Sequence, residues 1–171
     1  MSIAPVQQKL FEYPRSKTAH GGSLSIGKRK TARPLCVKRS IHIVMRASSA
    51  RGNSSLLHPQ HAKKVFQLLQ KYSKQFEIRT YDFVNVGNHL HLLVRAKTKE
   101  GMRNFLRAFS GHVAQLITGS GPGRPLKKRF WDFLVFTRLI EWGRAFRYAK
   151  SYLLKNVQQA ASFRTCTPLN L

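Results

Sequence analysis

Apolar residues recur at two different periods along this chain, and the switches between them mark out seven elements. From 40 to 47, Ile41, Ile43 and Met45 alternate with His42, Val44 and Arg46, which predicts a strand with one oily face. From 59 to about 76 the spacing becomes helical, with Val65, Leu68, Leu69, Tyr72 and Phe76 on one side and Pro59 suited to the first turn. Residues 77–86 are rich in Ile, Thr, Tyr, Phe and Val and predict a second strand. Gly87-Asn88 supplies turn chemistry, so 89–96 returns as a third strand in a hairpin. Thr98 suits the cap of a second helix, in which Met102, Phe105, Leu106, Phe109, Val113, Leu116 and Ile117 recur at steps of three and four until Gly119. A loop over 119–125 leads to a fourth strand over 130–140, aromatic and β-branched. Trp142, Phe146, Ala149, Leu153, Val157 and Ala160 then stripe one side of a closing helix.

The first six elements fit the split βαβ, ferredoxin-like plan: an α+β fold, βαββαβ, with helices on one face of a four-stranded antiparallel sheet. The seventh, an added C-terminal helix, must find its own packing place. This plan hosts many functions, so it decides none. At 171 residues and 42% hydrophobic the chain is one domain's worth, with enough apolar material for a core and no internal repeat. Residues 1–36 differ from the rest. They are rich in Ser, Gly, Lys, Arg and Pro and read as a basic arm that a partner would order. Residues 37–165 form the folded domain, and 166–171 a short tail.

Charge narrows the partners. Lys and Arg number 31 against 6 acidic residues, a net +25. A surface so charged repels itself, and a polyanion relieves the repulsion. Nucleic acid is the common polyanionic partner of a basic domain. No apolar run approaches the ~20 residues of a membrane span. Gln7, Gln8 and Glu12 stand where a signal peptide would be apolar, so a cytoplasmic protein is expected. Cys36 and Cys166 are too few and too far apart for a zinc cluster or a disulfide framework.

The sharpest chemical motif is His89-Leu90-His91. Alternation on a strand turns both imidazoles to one face while Leu90, Leu92 and Val94 face the other, a pairing suited to one divalent metal. Two surface histidines on a half-buried strand would look the same. Two imidazoles need a third ligand, and Mg²⁺ or Mn²⁺ favours oxygen. On the closing helix Tyr152 and Asn156 stand four apart and share a face. Asn156 offers a carbonyl oxygen to the metal and Tyr152 would sit beside a metal-bound phosphate, or both simply border the helix's apolar stripe. Tyr148 is a rival one turn earlier, but its own i+4 neighbour is Tyr152, a poor ligand. His42 shares its strand's other face with Val44 and Arg46, where it would contact DNA or support the site. Lys28, Arg29, Lys30 and Arg33 in the arm are candidate DNA contacts, as are Lys127, Lys128 and Arg129. The rings of Phe130 and Trp131 beside that second cluster suit base stacking, or else simply a core strand.

The string Asn88-His89-Leu90-His91-Leu92-Leu93-Val94 resembles the histidine–hydrophobe–histidine motif of HUH endonucleases, and Tyr152-Leu153-Leu154-Lys155-Asn156 resembles the tyrosine helix of single-tyrosine transposases. His20-Gly21-Gly22, Arg33-Pro34-Leu35, Phe130-Trp131 and Phe136-Thr137-Arg138-Leu139-Ile140 are similar to one subgroup of REP-associated tyrosine transposases. The resemblance spans about 20–165. Val86-Gly87 stands where that family often has Met-Pro, and Val157 where it often has Pro; neither change removes a chemical group. The resemblance implies a metal-dependent enzyme that binds single-stranded or hairpin DNA in the bacterial nucleoid and cuts and rejoins it through a 5′-phosphotyrosine on Tyr152. His89, His91 and Asn156 would hold Mg²⁺ or Mn²⁺, and 37–165 would be the catalytic domain. A monomer is favoured over a homodimer. The residues leave two alternatives open: a catalytically idle basic domain that binds RNA or hairpins, and a replication initiator of the HUH class.

Overall fold

A computed structural model describes residues 18–29, 31–126 and 128–165, with side chains as far as 156. The regular elements are β1 (Ala19–His20), β2 (Ser40–Arg46), α1 (Pro59–Gln75), β3 (Ile78–Asn85), β4 (His89–Ala96), α2 (Lys99–Thr118), β5 (Phe136–Ile140) and α3 (Arg144–Thr165). Local chemistry sets their ends. Thr98 Oγ1 accepts from the Gly101 N–H at 2.9 Å to cap α2, and Gly119 closes it in the left-handed conformation. The β3–β4 hairpin turns at Gly87, φ +94°, where the Gly87 N–H donates to Asn85 Oδ1 at 3.0 Å. Leu56 N–H donates to the Gly87 carbonyl at 2.8 Å and Asn85 Nδ2 to the Leu56 carbonyl at 2.8 Å. The segment before α1 thus braces the turn from which His89 emerges.

The sheet order is β1-β5-β2-β4-β3, antiparallel throughout. The four expected strands are all present and the α+β plan holds. The stretch expected as one arm is divided. Residues 1–17 lie outside the described residues, but Ala19 and His20 pair with Arg138 and Thr137 and add a fifth strand at the sheet edge. Gly21 follows at φ +82°, and a Cβ there would sit 2.2 Å from the Val135 carbonyl oxygen. Only glycine permits that approach. The tail 166–171 and Cys166 also lie outside the described residues.

Two boundaries move. The strand expected over 130–140 begins at Phe136. Ahead of it Phe130 is buried in the core, and the Trp131 indole N–H donates to the Ser110 carbonyl at 2.9 Å. Asp132 accepts from the Ser48 N–H at 2.9 Å and the Ser48 hydroxyl at 2.6 Å. These anchors hold the segment off a strand ladder. Trp142, expected to open the stripe of the last helix, lies ahead of α3 and is 45% exposed.

The two sheet faces are covered differently. Ile41, Ile43, Met45, Leu90, Leu92 and Val94 point to α1 and α2, meeting Val65, Leu69, Met102, Phe105 and Phe109 in the main core. The opposite face is crossed by α3, whose Ala149 and Leu153 pack on Val84, Leu93 and Ile140. Among the described residues no helix is long and apolar enough to cross a membrane.

Candidate active site

Strand alternation builds the site on the α3 face. In register Val44 pairs with His91, Arg46 with His89, and His42 with both Leu93 and Arg138. The face opposite the main core therefore carries His42, Arg46, His89, His91 and Arg138 together. His89 and His91 share it as expected, with ring centroids 4.7 Å apart. The His91 ring lies parallel to that of His42 at 5.6 Å, and His91 Nδ1 stands 3.4 Å from His42 Nε2.

The last helix brings in the phenol. The Tyr152 ring lies 6.0 Å from that of His91 and 6.3 Å from that of His42, edge-on to both. Leu153, 1% exposed, is buried in the sheet contact beside it and sets the rotation of the helix. Lys150, two residues earlier, reaches Asp82 Oδ2 at 3.8 Å. Asp82 occupies a register irregularity in β3, after Thr80, that turns it towards α3. Asn156 donates from Nδ2 to the Tyr152 carbonyl at 2.8 Å. Tyr148, the rival, is 56% exposed; the ring contacts with the histidines belong to Tyr152.

The electrostatics keep the imidazoles neutral. Burial, then the Arg138 charge, pushes His42 down to about 4. Burial, then Arg46, pushes His89 down to about 4. Burial, with His42 and His89 beside it, holds His91 well below the ordinary imidazole range. Burial raises the Tyr152 phenol, and the Asn156 side chain opposes that rise. Neutral imidazole is the form that ligates a metal. His89 Nδ1 is 2.6 Å from Asn88 Oδ1. With His89 Nδ1 beside Asn88 and His91 Nδ1 facing His42, the Nε2 atoms are the ring positions free of those contacts. His91 Nε2 is buried without a hydrogen-bond partner. A buried orphan of this kind suits a cation, since an empty bond there costs free energy. Among the described residues no three His, Cys, Asp or Glu side chains group to hold a metal. An amide oxygen such as that of Asn156 is the type of donor left to complete the set.

Other expected contacts are redistributed. His42 is 3% exposed and sits beneath the site, so it supports His91 and presents nothing to DNA. The Arg33 guanidinium is committed, donating to the Val135 carbonyl at 2.7 Å and Thr137 Oγ1 at 2.6 Å. It fastens the arm to β5. Lys28 and Arg29 are exposed after the turn at Gly22–Ser25, and Lys128 and Arg129 are exposed before Phe130. Lys30 and Lys127 lie outside the described residues. Phe130 and Trp131 pack with the core, the second of the two readings their sequence left open. Arg138 was missed as a site residue. Its signal was the alternation of Phe136, Arg138 and Ile140 along β5.

The profile of the family described as "Transposase IS200 like" matches residues 36–166. The chain belongs to this family of transposases. Membership brings a transposase-type, DNA-cleaving activity and DNA as the partner class. No curated protein matches the chain. A solved structure of a Deinococcus radiodurans R1 protein, described as a transposase, is similar at 15% identity and TM-score 0.45, over 75% of this chain and 98% of that one.

Proposed function

We propose that this IS200-like transposase is a single-tyrosine HUH enzyme that nicks and rejoins single-stranded DNA, taking hairpins of the REP type as its binding targets. The observation that carries the reading is the convergence of Tyr152 on the His42–His91 pair, from an element distant in sequence.

In the forward step the Tyr152 oxygen attacks a backbone phosphorus. The Tyr–O–P bond forms, the P–O3′ bond breaks, and the DNA leaves with a free 3′-hydroxyl that takes up a proton. The phenol loses its own proton in the attack. The phosphodiester is conserved as a 5′-phosphotyrosine, so another 3′-hydroxyl can later displace the tyrosine and rejoin the strand. His89, His91 and Asn156 would hold Mg²⁺ or Mn²⁺, which supplies positive charge for the non-bridging phosphate oxygens. Arg138 and Arg46 add fixed cations on the same face. The Asp82–Lys150 pair and Leu153 hold α3 so that the phenol meets the phosphate. A free phenol is a weak nucleophile near neutrality, with pKa ~10, and burial weakens it further. The surrounding cations and Asn156 offset that handicap. The single tyrosine with an Asn four residues on favours this reading over a replication initiator. The neutral histidine cluster beneath a tyrosine favours it over an idle basic domain.

The test is a denaturing gel of protein with labelled hairpin DNA bearing a single-stranded flank, with Mg²⁺ or Mn²⁺. A covalent adduct is expected, lost in Tyr152→Phe and in excess chelator. In His89→Ala and His91→Ala it should fall by at least ~100-fold, the typical loss on removing a charge-stabilising group. Hairpin binding in a gel shift should persist in each variant and exceed that of random duplex. An adduct that survives chelation, or equal binding of hairpin and duplex, contradicts the proposal.

A further inference from the structure

A second cluster occupies the same sheet face, at the far end of β4 from the histidine pair. Trp142, between β5 and α3, donates its indole N–H to the Lys38 carbonyl at 2.7 Å. Its ring lies 4.8 Å from that of Phe146 and 5.6 Å from that of Tyr81, and Tyr81 meets Phe146 at 5.2 Å. Arg79 lies over the Tyr81 ring at 5.2 Å, and Arg95 is 6.0 Å from the centre of Trp142. Arg95 Nε also donates to the Val37 carbonyl at 2.9 Å. Every one of these side chains is held in place, yet Trp142 remains 45% exposed and both arginines are exposed.

A pinned, exposed indole flanked by guanidinium groups suits a particular ligand. Each nucleobase has a π-face to stack, and each nucleotide carries a phosphate for a neighbouring cation. Because the ring is already oriented, stacking on it sacrifices little rotamer freedom. The place also fits. Arg95 and His91 are four residues apart on β4 and share a face, which is ~13 Å of strand, and a stacked strand rises ~3.4 Å per nucleotide. A strand whose phosphate lies at the histidine pair would reach Trp142 within a few nucleotides.

We propose that Arg79, Tyr81, Arg95, Trp142 and Phe146 form a subsite for single-stranded DNA, in which an unpaired base stacks on Trp142 while Arg79 and Arg95 take the flanking phosphates. This rests on the proposed single-stranded substrate and adds where that strand runs beyond the scissile phosphate.

The test measures binding without cleavage: Tyr152→Phe protein, in chelator, titrated with a fluorescein-labelled oligothymidylate. Trp142→Ala should weaken binding by roughly 5- to 100-fold with an unchanged salt slope, and Trp142→Phe should recover most of the loss. Arg95→Gln should reduce the salt slope by ~0.7. Lys63→Gln with Lys64→Gln, on the exposed side of α1, should leave affinity within about twofold of the parent. Should Trp142→Ala fail to fold, Trp131→Phe leaves Trp142 as the sole indole, and its emission should be quenched as the oligonucleotide binds. Parental affinity in Trp142→Ala, unchanged emission at saturation, or tighter binding of the matching oligouridylate would overturn the subsite. An adduct at Tyr152 with no Trp142 effect removes this inference alone, whereas Trp142-dependent binding without any adduct removes the cleavage reading alone.

Discussion

The two faces of one sheet are built from the same strands, yet they solve different problems. Towards α1 and α2, alternate residues of β2 and β4 are Ile41, Ile43, Met45, Leu90, Leu92 and Val94, all at most 2% exposed. Towards α3, the intervening positions are His42, Val44 and Arg46 on β2 and His89, His91, Leu93 and Arg95 on β4. Among the described residues, apolar cover on that side is a smaller cluster of Val84, Leu93, Ile140, Ala149 and Leu153, with Tyr81, Val86 and Phe146 packed against it. The first face supplies stability through close packing. The second carries the buried polar side chains of His42 and His91, whose burial weakens the fold, with the cost offset by the core behind them.

The difference can be broken by mutation. The largest effect should come from the helix-pair face. Phe105, fully buried in the main core, should lose about 3–5 kcal/mol when replaced by Ala, read as a fall in urea midpoint. A loss under about 1 kcal/mol would mean that face is not the source of stability.

Acid should act on the α3 face. His42 and His89 are held down to about 4. Between ~6.5, the free imidazole value, and ~4, the unfolded chain takes up protons that the folded site refuses. Stability is therefore full above that window and falls as pH drops through it, by on the order of 3 kcal/mol for His42 alone. With only 6 acidic residues in the chain, carboxylates contribute little to the same trend. Urea titrations in chelator at neutral and at mildly acid pH should show this slope, flattened in His42→Gln. A flat profile would mean the histidines are not buried neutral.

The smallest stability effect separates function from folding. His91→Leu removes the orphaned Nε2 but also takes from buried His42 Nε2 its partner at 3.4 Å, so the two effects oppose and stability in chelator should change by no more than about 1 kcal/mol. The substitution should also abolish the metal response. A marked destabilisation would make His91 a structural residue.

Much of this is legible in the sequence alone, because period-two and period-3.6 patterns are physical consequences of which side chains meet the core. The hairpin at Gly87, the cap at Thr98 and the stop at Gly119 are local chemistry and were read directly. The shared face of His89 and His91 followed from alternation. What was hidden depends on contacts distant in sequence. Arg33 looked like a DNA contact until Val135 and Thr137 met it. Ala19 and His20 gave no strand pattern, since their pairing is set by β5 and the glycine approach at Gly21. The sequence leaves Phe130 and Trp131 open between exposed rings and core, because their burial depends on α2. Trp142 was read as helix stripe, and its role in an exposed aromatic cluster depends on Tyr81 sixty-odd residues away. His42 could be placed on the correct face, but its burial against His91 needed β2 and β4 in register.

The central claim is that Tyr152, and no other side chain, becomes joined to DNA above the histidine pair. Protease digestion of the adduct formed with a single-stranded substrate and Mn²⁺, followed by mass spectrometry of the nucleotide-bearing peptide, tests it most directly. A phosphonucleotide is expected on Tyr152, with Tyr148→Phe still active and Tyr152→Phe yielding no modified peptide. Modification of Tyr148, or of any residue in Tyr152→Phe protein, would contradict it.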